Sequence, residues 1–155
     1  MDRIQIGVVI PSFNDRPFLE RLFESLYGTE SGVTFLPVIV DDLSDDGTED
    51  WLKTALRGYA VVIRPMEKSY FTRANNAGLD WHQKNTRPDF YFLLNSDTVV
   101  TDGWGAALIA TSRKMNAGIV GATLLYPEGR VQHARAYGKG YHYEIDQPWV
   151  RYHED

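Results

Sequence analysis

The chain has 155 residues and a net charge of 16 minus 21, or -5, with 43% apolar and 13% aromatic residues. That is the length of one ordinary domain, and the composition excludes a solvated, disordered chain. The absence of cysteine excludes a thiol nucleophile, a Cys-ligated zinc and a disulfide scaffold, while the acidic balance argues against a binder of nucleic-acid backbones.

In chain order, Ile4 to Ile10 is an apolar run rich in β-branched residues and predicts a first strand. Behind Pro17, the residues Phe18, Leu19, Leu22, Phe23 and Leu26 recur at helical spacing. Leu36 to Val40 predicts a second strand. Asp46-Gly47-Thr48-Glu49 has the layout of a capping box, and Lys53, Arg57 and Gly58 close the helix that follows. Tyr59 to Ile63 predicts a third strand, residues 71 to 84 a third helix ended by Arg87-Pro88, and Phe90 to Leu94 a fourth strand. Asp102 can cap a fourth helix through Trp104, Leu108 and Ile109 that stops at Gly118, and Ile119 to Ala122 predicts a fifth strand.

This alternation predicts an α/β fold with a mostly parallel central sheet flanked by helices, its strands buried on both faces. From Tyr126 onward aromatics and glycines dominate, and loops with one hairpin near Val131 are expected. No linker precedes the change, so one domain is expected over 1–155, with an α/β core over 1–125 and an appendage over 126–155. No apolar stretch approaches the roughly 20 residues of a membrane span, and the start at Met1-Asp2-Arg3 has no signal-peptide core, so a cytoplasmic protein is expected.

Ligands of open α/β sheets bind beyond the carboxyl ends of the strands. Three such ends are polar here: Pro11-Ser12-Phe13-Asn14-Asp15, Asp41-Asp42-Leu43-Ser44-Asp45-Asp46-Gly47 and Asn95-Ser96-Asp97-Thr98. Asp41 and Asp42 are either a solvated turn before a capped helix or strand-end carboxylates that accept hydrogen bonds from a base or ribose. Asn95-Ser96-Asp97 is either an Asx turn or part of a Mg2+ or Mn2+ site completed by substrate phosphates. No Gly-rich turn follows the first strand, no Gly-Lys phosphate loop occurs, and no nucleophile-elbow string occurs, which leaves dinucleotide oxidoreduction, P-loop chemistry and acyl transfer without support. A phosphoacceptor signalling domain would need a Lys after the fifth strand, and none is there.

Five segments together resemble the inverting nucleotide-sugar glycosyltransferases of family 2, which have the GT-A fold, and in particular their rhamnosyltransferase-like members. They are VVIPSFN (8–14), IVDDLSDDGT (39–48), FTRANNAGL (71–79), FLLNSDTVV (92–100) and GATLLYPEGRVQHA (121–134), in matching order over about residues 4–134. The resemblance implies that Pro11, Ser12 and Asn14 frame the base, that Asp41 and Asp42 bind base and ribose, that Asn76 lies beside the nucleotide, and that Asp97, with Asn95, holds the metal. Many relatives carry Arg where Asn75 stands, so Arg73 either reaches the diphosphate or covers the helix surface. His133 either touches a substrate or packs, and Trp104 is expected in the core.

Two departures matter. Asn95 replaces the first Asp of the family's Asp-x-Asp, so the metal should lean more heavily on the donor diphosphate. Relatives also continue for roughly another hundred residues that carry the acceptor site and the general base, so the fold is expected to be truncated on its C-terminal side. The expected function is transfer, with inversion, of a sugar from a UDP- or dTDP-linked donor to an unidentified glycan or other hydroxyl acceptor, with no base named in this chain. Self-association or a completing partner chain is expected. The alternative is a non-catalytic nucleotide-sugar binding module of the same fold.

Overall fold

The computed structural model describes residues 3–28 and 32–134. The chain divides into two compact units, Met1–Ala106 and Ala107–Asp155. In the first, β1 (Ile4–Ser12), α1 (Arg16–Gly28), β2 (Val33–Asp41), α2 (Thr48–Ala55), β3 (Val61–Ile63), α3 (Tyr70–Asn85) and β4 (Phe90–Leu93) follow one another, and α4 (Trp104–Met115) begins. The four strands form one sheet in the order β3-β2-β1-β4, and every pairing is parallel.

The order explains the composition of the strands. β1 and β2 are central and pair along their whole lengths, from Ile4 with Val33 to Ser12 with Asp41. Their apolar residues are therefore covered on both faces: Ile6, Val8, Val9, Ile10, Val38, Ile39 and Val40 are wholly buried. Leu19, Leu22 and Leu26 of α1 and Leu52 of α2 supply matching apolar surface at helical spacing. β3 and β4 depart from the expected burial on both faces. They are short edge strands, and in β4 Tyr91 and Leu93 are 41% and 56% exposed.

α3 lies very close to β1, and two glycines make that approach possible. A methyl group on Gly78 of α3 would stand 2.4 Å from Cγ1 of Val9, and one on Gly7 of β1 would stand 2.7 Å from Cγ of Pro88 and 3.1 Å from the His82 ring. His82 is wholly buried at this junction, with Nδ1 2.9 Å from Oγ1 of Thr86. Burial pushes its imidazole pKa down, partly offset by the backbone of Val8, so it is held as a neutral core residue. Trp104 packs as expected for a core residue, stacked 5.5 Å from Phe35 and edge-on 5.1 Å from Phe92.

Two helix starts differ in detail from the sequence pattern. α2 has Gly47, at φ 88, as its N-cap, and Asp46 caps from one position earlier by accepting from N and Oγ1 of Thr48 at 3.0 and 2.5 Å. α3 begins at Tyr70, whose φ is also positive, at 53.

In the second unit α4 finishes at Met115, and β5 (Leu124–Leu125) pairs antiparallel with β6 (Val131–His133) around a turn with Gly129 at φ 87. This is the hairpin expected near Val131, and His133 is exposed on it. The fifth strand expected at Ile119 to Ala122 is absent: the segment joins no ladder, and Ile119 is 83% exposed. Its apolar residues suit a strand, but a strand exists only where a neighbour pairs its backbone. Most of the stretch expected as an appendage, 135–155, lies outside the described residues. Among the described residues no helix is long and apolar enough to cross a membrane.

Candidate functional site

The carboxyl ends of β1, β2 and β4 do converge, and the connection from β3 to α3 joins them. Together they line an open cleft of about 590 Å3. β1 contributes Pro11, Ser12, Phe13 and Asp15, and β2 contributes Asp42. Lys68 comes from the connection between β3 and α3, Tyr70, Phe71 and Ala74 from the first turns of α3, and Asn95, Ser96 and Asp97 from beyond β4. The volume is that of a small-molecule site.

Neighbouring aspartates at the end of β2 have opposite fates, because successive side chains of a strand point to opposite sides. Asp41 is wholly buried and faces inward. Its Oδ1 accepts from the backbone N of Ser44 at 3.2 Å and from the Ser44 hydroxyl, and its Oδ2 pairs with the guanidinium of Arg64. Arg64 also donates to the Ser44 carbonyl at 3.0 Å and sits 3.3 Å from Glu49. Every oxygen of Asp41 is thus engaged within the protein, and the residue does not line the cleft.

Asp42 does line it, at 7% exposure. Oδ1 accepts from the backbone N and Oγ of Ser69 at 2.6 and 2.7 Å, and Oδ2 accepts from the Tyr70 backbone N at 3.0 Å. Burial alone would raise its pKa. The hydrogen bonds from Ser69 and Tyr70 and the charge of Lys68 outweigh burial and hold the carboxyl below its ordinary value. Asp42 is therefore the anion at the N-terminus of α3, where backbone N–H groups favour negative charge.

Two further side chains tie the loops together. Asn14, at φ 56, exchanges side-chain bonds with Asp45, donating from Nδ2 at 2.8 Å and accepting the Asp45 backbone N at 2.9 Å, while its own N–H donates to Oγ of Ser44 at 2.9 Å. Asp15 accepts from Oγ of Ser96 at 2.6 Å and from the Phe13 backbone N at 3.2 Å, linking the first loop to the fourth. Asn14 ties the two loops together and does not line the cleft.

Other groups in the cleft have no such commitments. The carboxylate of Asp97 and the amide of Asn95 make no side-chain hydrogen bond or ion pair among the described residues, and both line the cleft. Oγ of Ser12, in a residue only 3% exposed, has no partner. Among the described residues no group of three or more His, Cys, Asp or Glu could hold a metal ion by itself. One carboxylate and one amide are too few for an all-protein cage, but they suit Mg2+ or Mn2+, ions that keep several waters and share their shell with ligand phosphates.

Arg73 and Asn76 do not line the cleft. Arg73 is largely exposed, 3.6 Å from Glu67, and Asn76 is exposed. The cation that does line the cleft is Lys68, which the sequence reading did not single out. Lys68 and Tyr70 follow the end of β3, and the same strand-end rule, applied to that strand as to the other three, would have found them.

A family model for glycosyl transferase family 2 matches residues 7–152, nearly the whole chain. The chain belongs to glycosyl transferase family 2. It is 29% identical over 137 residues to the O-antigen biosynthesis protein RfbC of Myxococcus xanthus, covering 84% of this chain. Its fold matches S. aureus TarS residues 1–349 in complex with UDP-GlcNAc, with a TM-score of 0.61 and 19% identity over 73% of this chain and 32% of that one. It also matches the mannosyltransferase PcManGT of Pyrobaculum calidifontis in complex with GDP-Man and Mn2+, with a TM-score of 0.53 and 18% identity over 63% of this chain and 28% of that one. The α/β architecture, with its mostly parallel sheet flanked by helices, is therefore that of the GT-A glycosyltransferases. The chain spans 10% and 14% of the length of the curated relatives it matches.

Proposed function

We propose that this family 2 chain carries the donor site of a metal-assisted, inverting glycosyltransferase and that the cleft binds a nucleoside-diphosphate sugar, UDP- or dTDP-linked. The observation that carries this reading is the division of labour among its side chains. Asp15, Asp41 and Asp42 are engaged within the protein, while Asp97, Asn95, Ser12 and Lys68 are left facing a cleft of suitable size. In this reading Pro11 and Ser12 frame the base, with the unpartnered Ser12 hydroxyl offering it a hydrogen bond. Asp42 sets the ribose side, and Asn14 and Asp41 act by fixing the loops. Asp97, with Asn95, would hold Mg2+ or Mn2+.

When bound, such an ion would stabilise the negative charge that develops on the leaving diphosphate. The neighbour PcManGT, in complex with GDP-Man and Mn2+, supports that assignment. The residues of this chain would orient the donor. Inversion also requires a base that takes the proton of the attacking acceptor hydroxyl. No base is assigned among the acids of this cleft, and the acceptor, the base and the rhamnosyl-like specificity are assigned to chemistry beyond it.

Calorimetric titration of UDP and dTDP, with Mn2+ and with excess chelator, tests the reading directly, GDP serving as the purine control. Binding at least tenfold tighter in Mn2+ is expected, and Asp97→Asn should abolish that difference. Equal affinity in Mn2+ and chelator removes the metal role, and no binding of any of the three nucleotides refutes the donor site.

A further inference from the structure

We propose that Lys68 is a phosphate-released cap on the Phe13 ring, and that the cleft therefore favours phosphorylated nucleotides by uncovering a stacking face only when a phosphate is present. The inference rests on the donor-site reading above and concerns the order in which that site is occupied. Lys68 Nζ lies over the face of Phe13, 2.8 Å from the ring centroid, and both residues line the cleft. Phe13 is 46% exposed, so its ring is a surface that a planar base or the apolar face of a sugar could cover. In the free protein the ammonium occupies that face instead.

Three observations make the contact a resting position for Lys68. First, Lys68 makes no hydrogen bond or ion pair with any carboxylate among the described residues, although its charge reaches Asp42 through space. Asp42 accepts from Ser69 and Tyr70 and does not pair with it. Second, Lys68 is the one Lys or Arg lining the cleft among the described residues, so a diphosphate bound there has no other cation of this unit to meet. Third, its backbone is fixed while its head is not. The next residue, Ser69, is tied to Asp42 through both N and Oγ, whereas the four-carbon stem of Lys68 can swing.

The balance of the two contacts gives the direction. An ammonium over an aromatic ring at a partly exposed site is worth a few-fold in an equilibrium constant, whereas a charged hydrogen bond to a phosphate is worth roughly 10- to 100-fold. A phosphate in the cleft therefore draws Lys68 off the ring, and the freed face accepts the base or sugar. A nucleoside without phosphate must displace the ammonium itself and binds more weakly for it.

The test uses UDP, uridine and inorganic pyrophosphate as probes, with the whole chain and its Lys68→Met variant, which keeps the stem and loses the charge. Lys68→Met loses the phosphate contact but also the cap, so it should weaken UDP by a net of roughly 2- to 50-fold and tighten uridine roughly two- to five-fold. In the wild-type chain saturating pyrophosphate should tighten uridine by a similar two- to five-fold, and in Lys68→Met it should not. Lys68→Arg should recover most of the UDP affinity. If Lys68→Met weakens UDP but leaves uridine unchanged, Lys68 is a phosphate ligand and the cap is overturned. If pyrophosphate and uridine bind independently in the wild-type chain, the coupling is overturned while the donor site stands. Failure of UDP itself to bind overturns the donor-site reading and the cap with it.

Discussion

Replacing Asp42 by Asn keeps the shape of the side chain and removes the charge on which three donors converge. The carboxylate accepts from N and Oγ of Ser69 at 2.6 and 2.7 Å and from the Tyr70 N at 3.0 Å. An amide has one acceptor oxygen, so if it serves Ser69, its NH2 faces the Tyr70 N–H and that bond is lost. The two bonds that remain fall from the charged class, about 1.5 to 3 kcal/mol, to the neutral class, about 0.5 to 1.5 kcal/mol. Water can reach Tyr70, which is 74% exposed, so the orphaned N–H adds only the low end of its penalty. The expected loss is about 3.5 to 6 kcal/mol, or a fall in Tm of roughly 7 to 24 °C for a chain of this length. Urea unfolding at several pH values is the assay. The folded-state pKa of Asp42 is depressed below its ordinary value of 3.8, so its stabilisation is fully present above that value and is lost as pH falls through the lower folded one. The gap between wild type and Asp42→Asn should therefore hold steady from pH 7 to about 5 and close toward pH 3 or below. A gap that stays constant down to acid unfolding, or a variant as stable as wild type at pH 7, refutes the account of Asp42 as the charged cap of α3.

Two further substitutions test the supports of the cleft. Gly78→Ala should destabilise the chain by about 1 kcal/mol in thermal unfolding. Crowding Val9 costs about 1 to 3 kcal/mol, and better helix propensity in α3 returns at most about 1 kcal/mol. Adding Val9→Ala should relieve the crowding, so that the double variant loses less than the sum of the singles, and a stabilised Gly78→Ala would show that α3 can lift off β1 freely. Arg64→Ala should cost about 2 kcal/mol, because it leaves the wholly buried Asp41 without its cation. That is below the usual figure of about 3 to 5 kcal/mol for breaking a buried pair, since Arg64 is 31% exposed and Ser44 still donates to Asp41. Chemical denaturation reads the change, and an unaltered midpoint would mean that the pair contributes no net stability.

How far the sequence carries the fold depends on what an apolar run can say. Ile4 to Ile10 and Leu36 to Val40 were readable as central strands because residues covered on both faces leave no polar alternation, and the structure pairs them side by side. Ile119 to Ala122 has the same character and forms no strand, while Phe90 to Leu94 forms one that is half uncovered. Composition records that residues suit burial, and pairing decides what covers them. The site divides in the same way. The strand-end rule brought Pro11, Ser12, Asp42, Asn95 and Asp97 to one cleft, but it could not say which of two adjacent aspartates faces inward. That was settled by the position of Arg64, 23 residues away in sequence.

The polar side chains around the cleft fall into two sets with different chemistry. Asn14 binds the first loop to the second, Asp42 binds the second to the start of α3, and Asp15 binds the first to the fourth. Three of the residues with positive φ other than glycine, Asn14, Leu43 and Tyr70, lie in these same connections, a backbone cost that such cross-ties can hold in place. Asp41 commits both of its oxygens inside the protein and does not line the cleft, whereas Asp15, which accepts through Oδ2 alone, and Asp42 tie the loops and line the cleft as well. Asp97, Asn95, Ser12 and Lys68 line the cleft without a side-chain hydrogen bond or ion pair among the described residues: one anion, one amide, one hydroxyl and one cation, the last over the Phe13 ring. A divalent ion shared with a diphosphate would use the first two, a base or sugar the third, and the phosphate itself the fourth. A nucleoside would leave the cation on the ring and the metal pair incomplete, and a free sugar would leave the base side empty. On the proposed reading, the groups that the fold leaves unpaired would suit a molecule that carries a base and a diphosphate together.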